Sequence, residues 1–257
     1  MFESILLGIL QGLTEFLPVS SSGHLVLAQS LLPGFDGTPA AFDILLHGGT
    51  LVAVTAYFRA DIGRIVRDCG RPSEEGLRLP ILLIVGSVPA GMVGVLFADA
   101  IVPLFAAPRI ASLGLVFTAA LLFAAFRLGT GSGRTLAGLT IPAAFLIGAF
   151  QAMALVPGVS RSGATIAAGI FMGLSGPNAA RFSFLLSIPA IAGALVLESG
   201  DLLYTGLPLP YIAGAVAAAV AGWASIALLM RILDRGNLLP FAVYCLLVGV
   251  LSLLFLI

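Results

Sequence analysis

A segment running Pro18-Val19-Ser20-Ser21-Ser22-Gly23-His24 returns in altered form 140 positions later as Gly158-Val159-Ser160-Arg161-Ser162-Gly163-Ala164. At that one offset Gly8 matches Gly148, Gln11 matches Gln151, and Val19, Ser20, Ser22 and Gly23 match Val159, Ser160, Ser162 and Gly163. Phe42, Leu45 and Leu46 likewise match Phe182, Leu185 and Leu186. A single shift that aligns glycines, polar residues and apolar residues together marks an internal duplication, so any fold for this chain must hold two related units. Each copy carries a polar, Gly/Pro-interrupted patch inside apolar sequence. Between them the patches supply hydroxyls, a carboxylate, an imidazole and a guanidinium.

The surroundings of those patches exclude a water-soluble globule. The chain is 60% hydrophobic and 9% charged, with a mean hydropathy of +1.14, which leaves too little polar surface to face water. The composition predicts an all-α polytopic membrane protein. Apolar stretches of spanning or near-spanning length fall at about 41–58, 79–98, 108–126, 182–197, 208–230 and 238–257, giving six full spans across a hydrocarbon core of about 30 Å. The start of the chain, with Glu3 where a secretory signal would carry a basic residue, is expected to be retained. Cys69 and Cys245 are too few and too differently placed for a disulfide framework or a metal cluster.

Zero net charge conceals an asymmetric distribution. Every basic residue is Arg. Arg59, Arg64, Arg67, Arg71 and Arg78 lie between the first two spans, Arg127 and Arg134 follow the third, and Arg231 and Arg235 precede the last. The positive-inside rule makes these connections cytoplasmic. The intervening segments 33–40, 99–107 and 198–210 contain no basic residue and carry Asp36, Asp99, Glu198 and Asp201, so they face outside. Asp61, Asp68, Glu74 and Glu75 dilute the charge of 59–78, which reads as a solvated loop rather than a nucleic-acid or lipid-headgroup patch.

With residue 41 starting outside, residues 1–32 hold two apolar pieces too short to span, broken at Pro18 to Gly23. They are expected to form a re-entrant hairpin entered from outside, and residues 135–175, broken at Pro157 to Gly163, one entered from inside. Three spans separate the copies. An odd number forces the two units, 1–134 and 135–257, to run in opposite senses, an inverted-topology repeat within one membrane domain whose broken-helix tips can meet near mid-membrane.

Arg161 is the most constrained polar residue, since a guanidinium in apolar sequence is costly unless it pairs or lines a hydrated cavity. Its planar donor fork suits phosphate oxygens. Gln11 and Glu15 stand four apart and share a helix face. A carboxylate with a neighbouring amide oxygen suits partial coordination of a hard divalent cation, although the same pair could simply satisfy backbone groups at a broken helix. His24 is either a core histidine on a carbonyl or a proton-transfer group. Ser20, Ser21, Ser22, Ser160 and Ser162 can cap the helices expected to start at Gly23 and Gly163, whose free N–H groups would favour an anion.

Gln11-Gly12-Leu13-Thr14-Glu15-Phe16-Leu17-Pro18-Val19-Ser20-Ser21-Ser22-Gly23-His24 resembles the first signature of the undecaprenyl-diphosphate phosphatases of the bacitracin-resistance type. Pro157-Gly158-Val159-Ser160-Arg161-Ser162-Gly163-Ala164-Thr165 is similar to their second, and the likeness extends through Phe42 to Gly49 and Phe182 to Pro189. The resemblance implies a bacterial inner-membrane enzyme that hydrolyses undecaprenyl diphosphate to the monophosphate carrier lipid, supports cell-wall synthesis, confers bacitracin resistance and opens its site to the periplasmic face. It implies Glu15, Ser21, His24 and Arg161 as catalytic residues and Ser20, Ser22, Gly23, Ser160, Ser162, Gly163 and Thr165 around the substrate. It further implies a divalent metal, magnesium or calcium, held by Glu15 and Gln11, and a homodimer. Gln11 departs from relatives that carry Glu there: an amide can coordinate through oxygen but cannot act as a base.

On these residues Ser21 is the nucleophile with His24 as base and then acid, or a metal-activated water attacks directly; the sequence leaves both open. A secondary transporter or flippase of a phosphorylated lipid is the competing class, because paired broken helices are also transporter architecture. A hydroxyl–imidazole pair beside an anion clamp is not needed for transport. An envelope scaffold leaves Arg161 and Glu15 without a role.

The charge pattern makes one prediction. On a background lacking Cys69 and Cys245, a cysteine placed near Asp36 or Asp201 should react with a membrane-impermeant thiol reagent in intact cells, and one near Arg71 or Arg134 should not. Equal or reversed labelling would remove the basis for two oppositely entered hairpins.

Overall fold

A computed structural model of the chain describes residues 1–31, 40–70, 73–129, 133–198 and 208–255. Most of the expected outer connections 33–40 and 198–210, with Asp36 and Asp201, lies outside them, as does Arg71. Among the described residues there are twelve α-helices and no β-strand. They run α1 Phe2–Phe16, α2 Ser21–Leu31, α3 Ala40–Tyr57, α4 Arg59–Gly70, α5 Glu74–Leu96, α6 Ala98–Ile101, α7 Pro108–Leu128, α8 Ile141–Met153, α9 Arg161–Phe171 and α10 Gly176–Glu198, followed by α11 Leu209–Asp234 and α12 Leu239–Phe255.

The first helix shows which solvent the fold is built for. Its buried face carries Gln11, Thr14 and Glu15, while Phe2, Leu6, Ile9 and Leu13 are exposed. Polar residues inside and apolar residues outside invert the pattern of a helix at a water interface. Four helices are long and apolar enough to cross a bilayer, within Gly76–Leu96, Pro108–Leu128, Gly176–Val196 and Leu209–Asp234. Phe42–Tyr57 and Leu239–Phe255, expected as full spans, are apolar but shorter, as is Ile141–Met153. The chain is a multi-pass helical membrane protein.

Residues 59–70, expected as part of a loop, form an amphipathic helix. Ile62 and Ile65 of α4 pack on the core, and Asp61 takes both a 3.2 Å bond from Arg181 Nε and a second bond from its Nη2. The acidic residues that read as marks of solvation thus include one that ties α4 to α10.

The two copies pack in a crossed pattern. Helix α1 lies against α11 and α8 against α5, so each copy's broken helix is supported by a helix of the other. Glycines make the approach possible: a Cβ on Gly8 would sit 2.1 Å from Gly214 O, and one on Gly148 would sit 2.2 Å from Gly86 O. Gly8 and Gly148 are the pair related by the 140-residue offset. The breaks meet in the same reciprocal way, Gly23 facing Gly158 and Gly163 facing Pro18. Thr118 of α7 donates to Gly158 O at 3.0 Å, and Cys245 of α12 donates to Pro18 O at 3.5 Å, each closing the equivalent carbonyl of one break.

Gly148→Ala should lower the thermal stability of the purified protein in detergent by an amount typical of overpacking, about 1–3 kcal/mol. Gly91→Ala, where a Cβ meets nothing within 4 Å, should leave it unchanged or slightly raised. Equal melting of the two variants would show that the α8–α5 approach is not tight.

Candidate active site

Each break ends in a serine that caps the next helix. Ser20 Oγ accepts from Gly23 N at 3.2 Å and Ser160 Oγ accepts from Gly163 N at 3.1 Å. A capping oxygen serves the N–H three residues on, so α2 and α9 begin at Ser21 and Arg161, two residues earlier than expected from the glycines. Within each cap the hydroxyls of Ser20 and Ser22, and of Ser160 and Ser162, are 3.3 and 3.2 Å apart. The first break is the more strained: Ser20 has φ 69°, a left-handed conformation unusual outside glycine, whereas Ser160 has φ −71°.

The leading N–H groups of both helices lack intrahelical acceptors, and the first residues of the two helices, Ser21 and Arg161, both reach Glu15. Arg161 Nη2 donates to Glu15 Oε1 at 2.6 Å, Ser21 Oγ donates to Glu15 Oε2 at 2.6 Å, and Gln11 Nε2 donates to Oε2 at 3.1 Å. Glu15 comes from the end of α1, one turn after Gln11, and its side chain is 7% exposed. A charge taken this far from water must be compensated, and here a guanidinium and two neutral donors do it. The guanidinium has capacity left over. Arg161 Nη1 is buried without a partner, and so is Gln11 Oε1. An unpaired buried donor next to a hydroxyl and an unpaired buried acceptor in the same side-chain cluster call for a ligand that both accepts hydrogen bonds and carries cations.

Of the expected residues, Gln11, Glu15, Ser21 and Arg161 are therefore joined in one network. Ser162 donates to Leu17 O at 3.0 Å and stitches the second break to the first. Thr165 lies one turn into α9, its hydroxyl 2.6 Å from that of Ser183, and donates to Arg161 O at 2.8 Å; it supports the arginine's helix rather than reaching Glu15. Gly23 and Gly163 allow the tips to touch. His24 stands apart from Ser21: its Nδ1 is 2.7 Å from Ser20 O and its Nε2 is 2.7 Å from the hydroxyl of Tyr244 on α12, with the two rings 5.6 Å apart and nearly parallel.

Two participants were not singled out from the sequence. Tyr244 holds His24, and His47 of α3 brings Nε2 to 3.9 Å from Glu15 Oε2. His47 lies in the repeated stretch beginning at Phe42, and an imidazole in an apolar helix was the available signal. At the position 140 residues after Glu15 stands Leu155, and after His24 stands Ala164. The first copy thus brings the carboxylate and the second the guanidinium.

Beside the second break, Leu113, Phe117, Met153 and Val159 line part of an open apolar groove of about 390 Å³. Its lining residue Val159 stands two positions before Arg161 in the sequence.

A donor set for a divalent ion is partly present: Gln11 Oε1 has no partner, and Glu15 offers carboxylate oxygens. Among the described residues no three His, Cys, Asp or Glu form a metal-binding group. That set fits a hard ion which keeps waters and shares the oxygens of a phosphate substrate, rather than a fully protein-bound one.

Comparison with known proteins identifies the family. The chain is 48% identical to the undecaprenyl-diphosphatase of Syntrophotalea carbinolica over 96% of its own length and 95% of that protein. It is 43% identical to that of Desulfosudis oleivorans, covering 98% and 97% of the two chains, and 42% identical to that of Geobacter sulfurreducens, covering 99% and 98%. Residues 4–251 match the family model described as bacitracin resistance protein BacA, and with relatives of this similarity along nearly its whole length the chain belongs to that family.

Proposed function

We infer that this protein is an integral-membrane phosphatase that hydrolyses undecaprenyl diphosphate to undecaprenyl phosphate and inorganic phosphate. The observation that carries the reading is the junction at Glu15, where a serine hydroxyl and an arginine with an unpartnered buried Nη1 share one carboxylate. A transporter needs the anion clamp but not the polarised hydroxyl beside it.

In the proposed reaction Arg161 and the N-termini of α2 and α9 take the charge of the terminal phosphate, the main requirement of phosphoryl transfer. Ser21 Oγ attacks the terminal phosphorus as Glu15 accepts its proton. The new Oγ–P bond replaces the bridging P–O bond, and undecaprenyl phosphate leaves. Glu15 gives the proton to the departing undecaprenyl phosphate; water then attacks the phosphoserine, Glu15 takes the water's proton and passes it to Ser21 Oγ as the Oγ–P bond breaks, and inorganic phosphate departs. Glu15 rather than His24 takes the base role because its oxygen is 2.6 Å from Ser21 Oγ, while both ring nitrogens of His24 have other partners. A divalent metal held by Gln11 Oε1 and Glu15 would supply further neutralisation of the diphosphate. Direct attack by water is the variant in which Ser21 only positions phosphate.

The two halves, 1–134 and 135–257, form an inverted-topology repeat in this reading, with the helix pairs α1–α2 and α8–α9 as re-entrant hairpins. Its support is the reciprocal contact of the breaks and the crossed packing of α1 on α11 and α8 on α5. The arginine distribution sets the Arg-rich connections in the cytoplasm, and the opening of the site toward the periplasmic face rests on the family resemblance. The apolar groove lined in part by Val159 takes the first part of the prenyl chain. A homodimer is compatible with the exposed apolar faces but is not required to complete the site.

Purified protein should release inorganic phosphate from undecaprenyl diphosphate, and a preparation that moves the lipid without releasing phosphate would contradict the reading. Arg161→Lys keeps the charge but loses the fork, so turnover should fall more than about tenfold, equivalent to about 1.4 kcal/mol of barrier; near-normal turnover would remove the clamp.

Leu113→Trp should raise KM for undecaprenyl diphosphate several-fold while leaving a short prenyl diphosphate such as farnesyl diphosphate unaffected. Parallel changes for both chain lengths would show that the groove is not the tail's seat.

A further inference from the structure

The imidazole of His47 is turned toward Glu15 with its Nδ1 fixed on the backbone. Its Nδ1 lies 2.8 Å from Asp43 O, the carbonyl one turn back along α3. A carbonyl only accepts, so Nδ1 carries a proton and Nε2 is the ring atom turned toward the carboxylate. Nε2 stands 3.9 Å from Glu15 Oε2. The gap is too wide for a hydrogen bond. Two ligands of one divalent ion, each bonded at about 2.1 Å, can stand up to about 4.2 Å apart, which accommodates this separation.

A buried acceptor without a partner belongs to the side chain bonded to the same carboxylate. Gln11 donates through Nε2 to Oε2, and its own Oε1 is buried with no partner. The ring geometry of His47 matches that of metal-bound histidines, whose second nitrogen is commonly fixed on a backbone carbonyl. Its side chain is 38% exposed, which leaves the far side of an ion open to water and to phosphate oxygens. His24, the other histidine of the chain, is not available for the same task, because Ser20 O and the Tyr244 hydroxyl hold both of its nitrogens.

We propose that His47 Nε2 is a direct ligand of a divalent metal in this site, alongside Glu15 and Gln11 Oε1. The inference rests on the metal-assisted phosphatase reading and adds a nitrogen donor to it. One imidazole among oxygen ligands moves preference away from calcium and magnesium toward manganese and later first-row ions.

The test is electron spin echo envelope modulation on the purified full chain loaded with Mn²⁺ in the presence of inorganic phosphate. Modulation from a directly bound ¹⁴N is expected, replaced by the ¹⁵N pattern when the protein is made with ¹⁵N-histidine. It should vanish in His47→Gln and persist in His24→Gln, and the Mn²⁺ affinity of His47→Gln should fall at least about tenfold. If His47→Gln does not fold, as judged by thermal unfolding, the isotope exchange together with His24→Gln still decides. Bound Mn²⁺ without histidine nitrogen modulation, modulation that is lost in His24→Gln, or no Mn²⁺ binding at all would each overturn the proposal. Phosphate release from undecaprenyl diphosphate, measured separately, shows in those cases whether the phosphatase reading stands without it.

Discussion

The pairing of Glu15 with Arg161 is the interaction on which the site depends. The two residues are 146 positions apart and come from different copies of the duplicated sequence, yet Arg161 Nη2 and Glu15 Oε1 are 2.6 Å apart with side chains 15% and 7% exposed. Neither charge is tolerable alone in such surroundings, since breaking a buried pair by removing one partner typically costs about 3–5 kcal/mol. Each half therefore stabilises the ionised residue of the other. The pair also leaves Arg161 Nη1 unpartnered, so the contact that holds the halves together is the same one that keeps a buried donor in reserve.

Everything near the pair follows from bringing two helix N-termini together. A serine cap starts each helix, a glycine at the third helical position lets the opposing break approach, and a hydroxyl or thiol from a neighbouring helix satisfies the exposed carbonyl of the break. Backbone groups in apolar surroundings must be satisfied by protein, and this arrangement does so symmetrically. The chemistry is not symmetric. Leu155 and Ala164 occupy the positions of Glu15 and His24, so a single carboxylate serves a junction made from two copies.

Much of this was legible in the sequence because the 140-residue offset, the Gly/Pro breaks and the isolated Arg161 are local or periodic signals. Gln11, Glu15, Ser21 and Arg161 were all identifiable, and the helical membrane class followed from composition. The roles of the histidines were not. Spacing put His24 three residues after Ser21, but its ring is held by the carbonyl of Ser20 and by Tyr244, 220 residues away. His47 reaches Glu15 only because α3 packs against α1. Helix α4 was missed for a similar reason: Asp61 marks a solvated segment unless Arg181 is known to lie opposite.

The most direct test of a site shared between halves is a double-mutant cycle on its central pair. Unfolding free energies of the wild type, Glu15→Gln, Arg161→Gln and the double variant would be compared in the same detergent. The account predicts strong non-additivity: each single change leaves an uncompensated buried charge, and the double variant regains stability relative to their sum by at least about 1 kcal/mol, within the range seen for residues in direct contact. Additive effects would mean that Glu15 and Arg161 do not compensate each other, and the site would not depend on the meeting of the two halves.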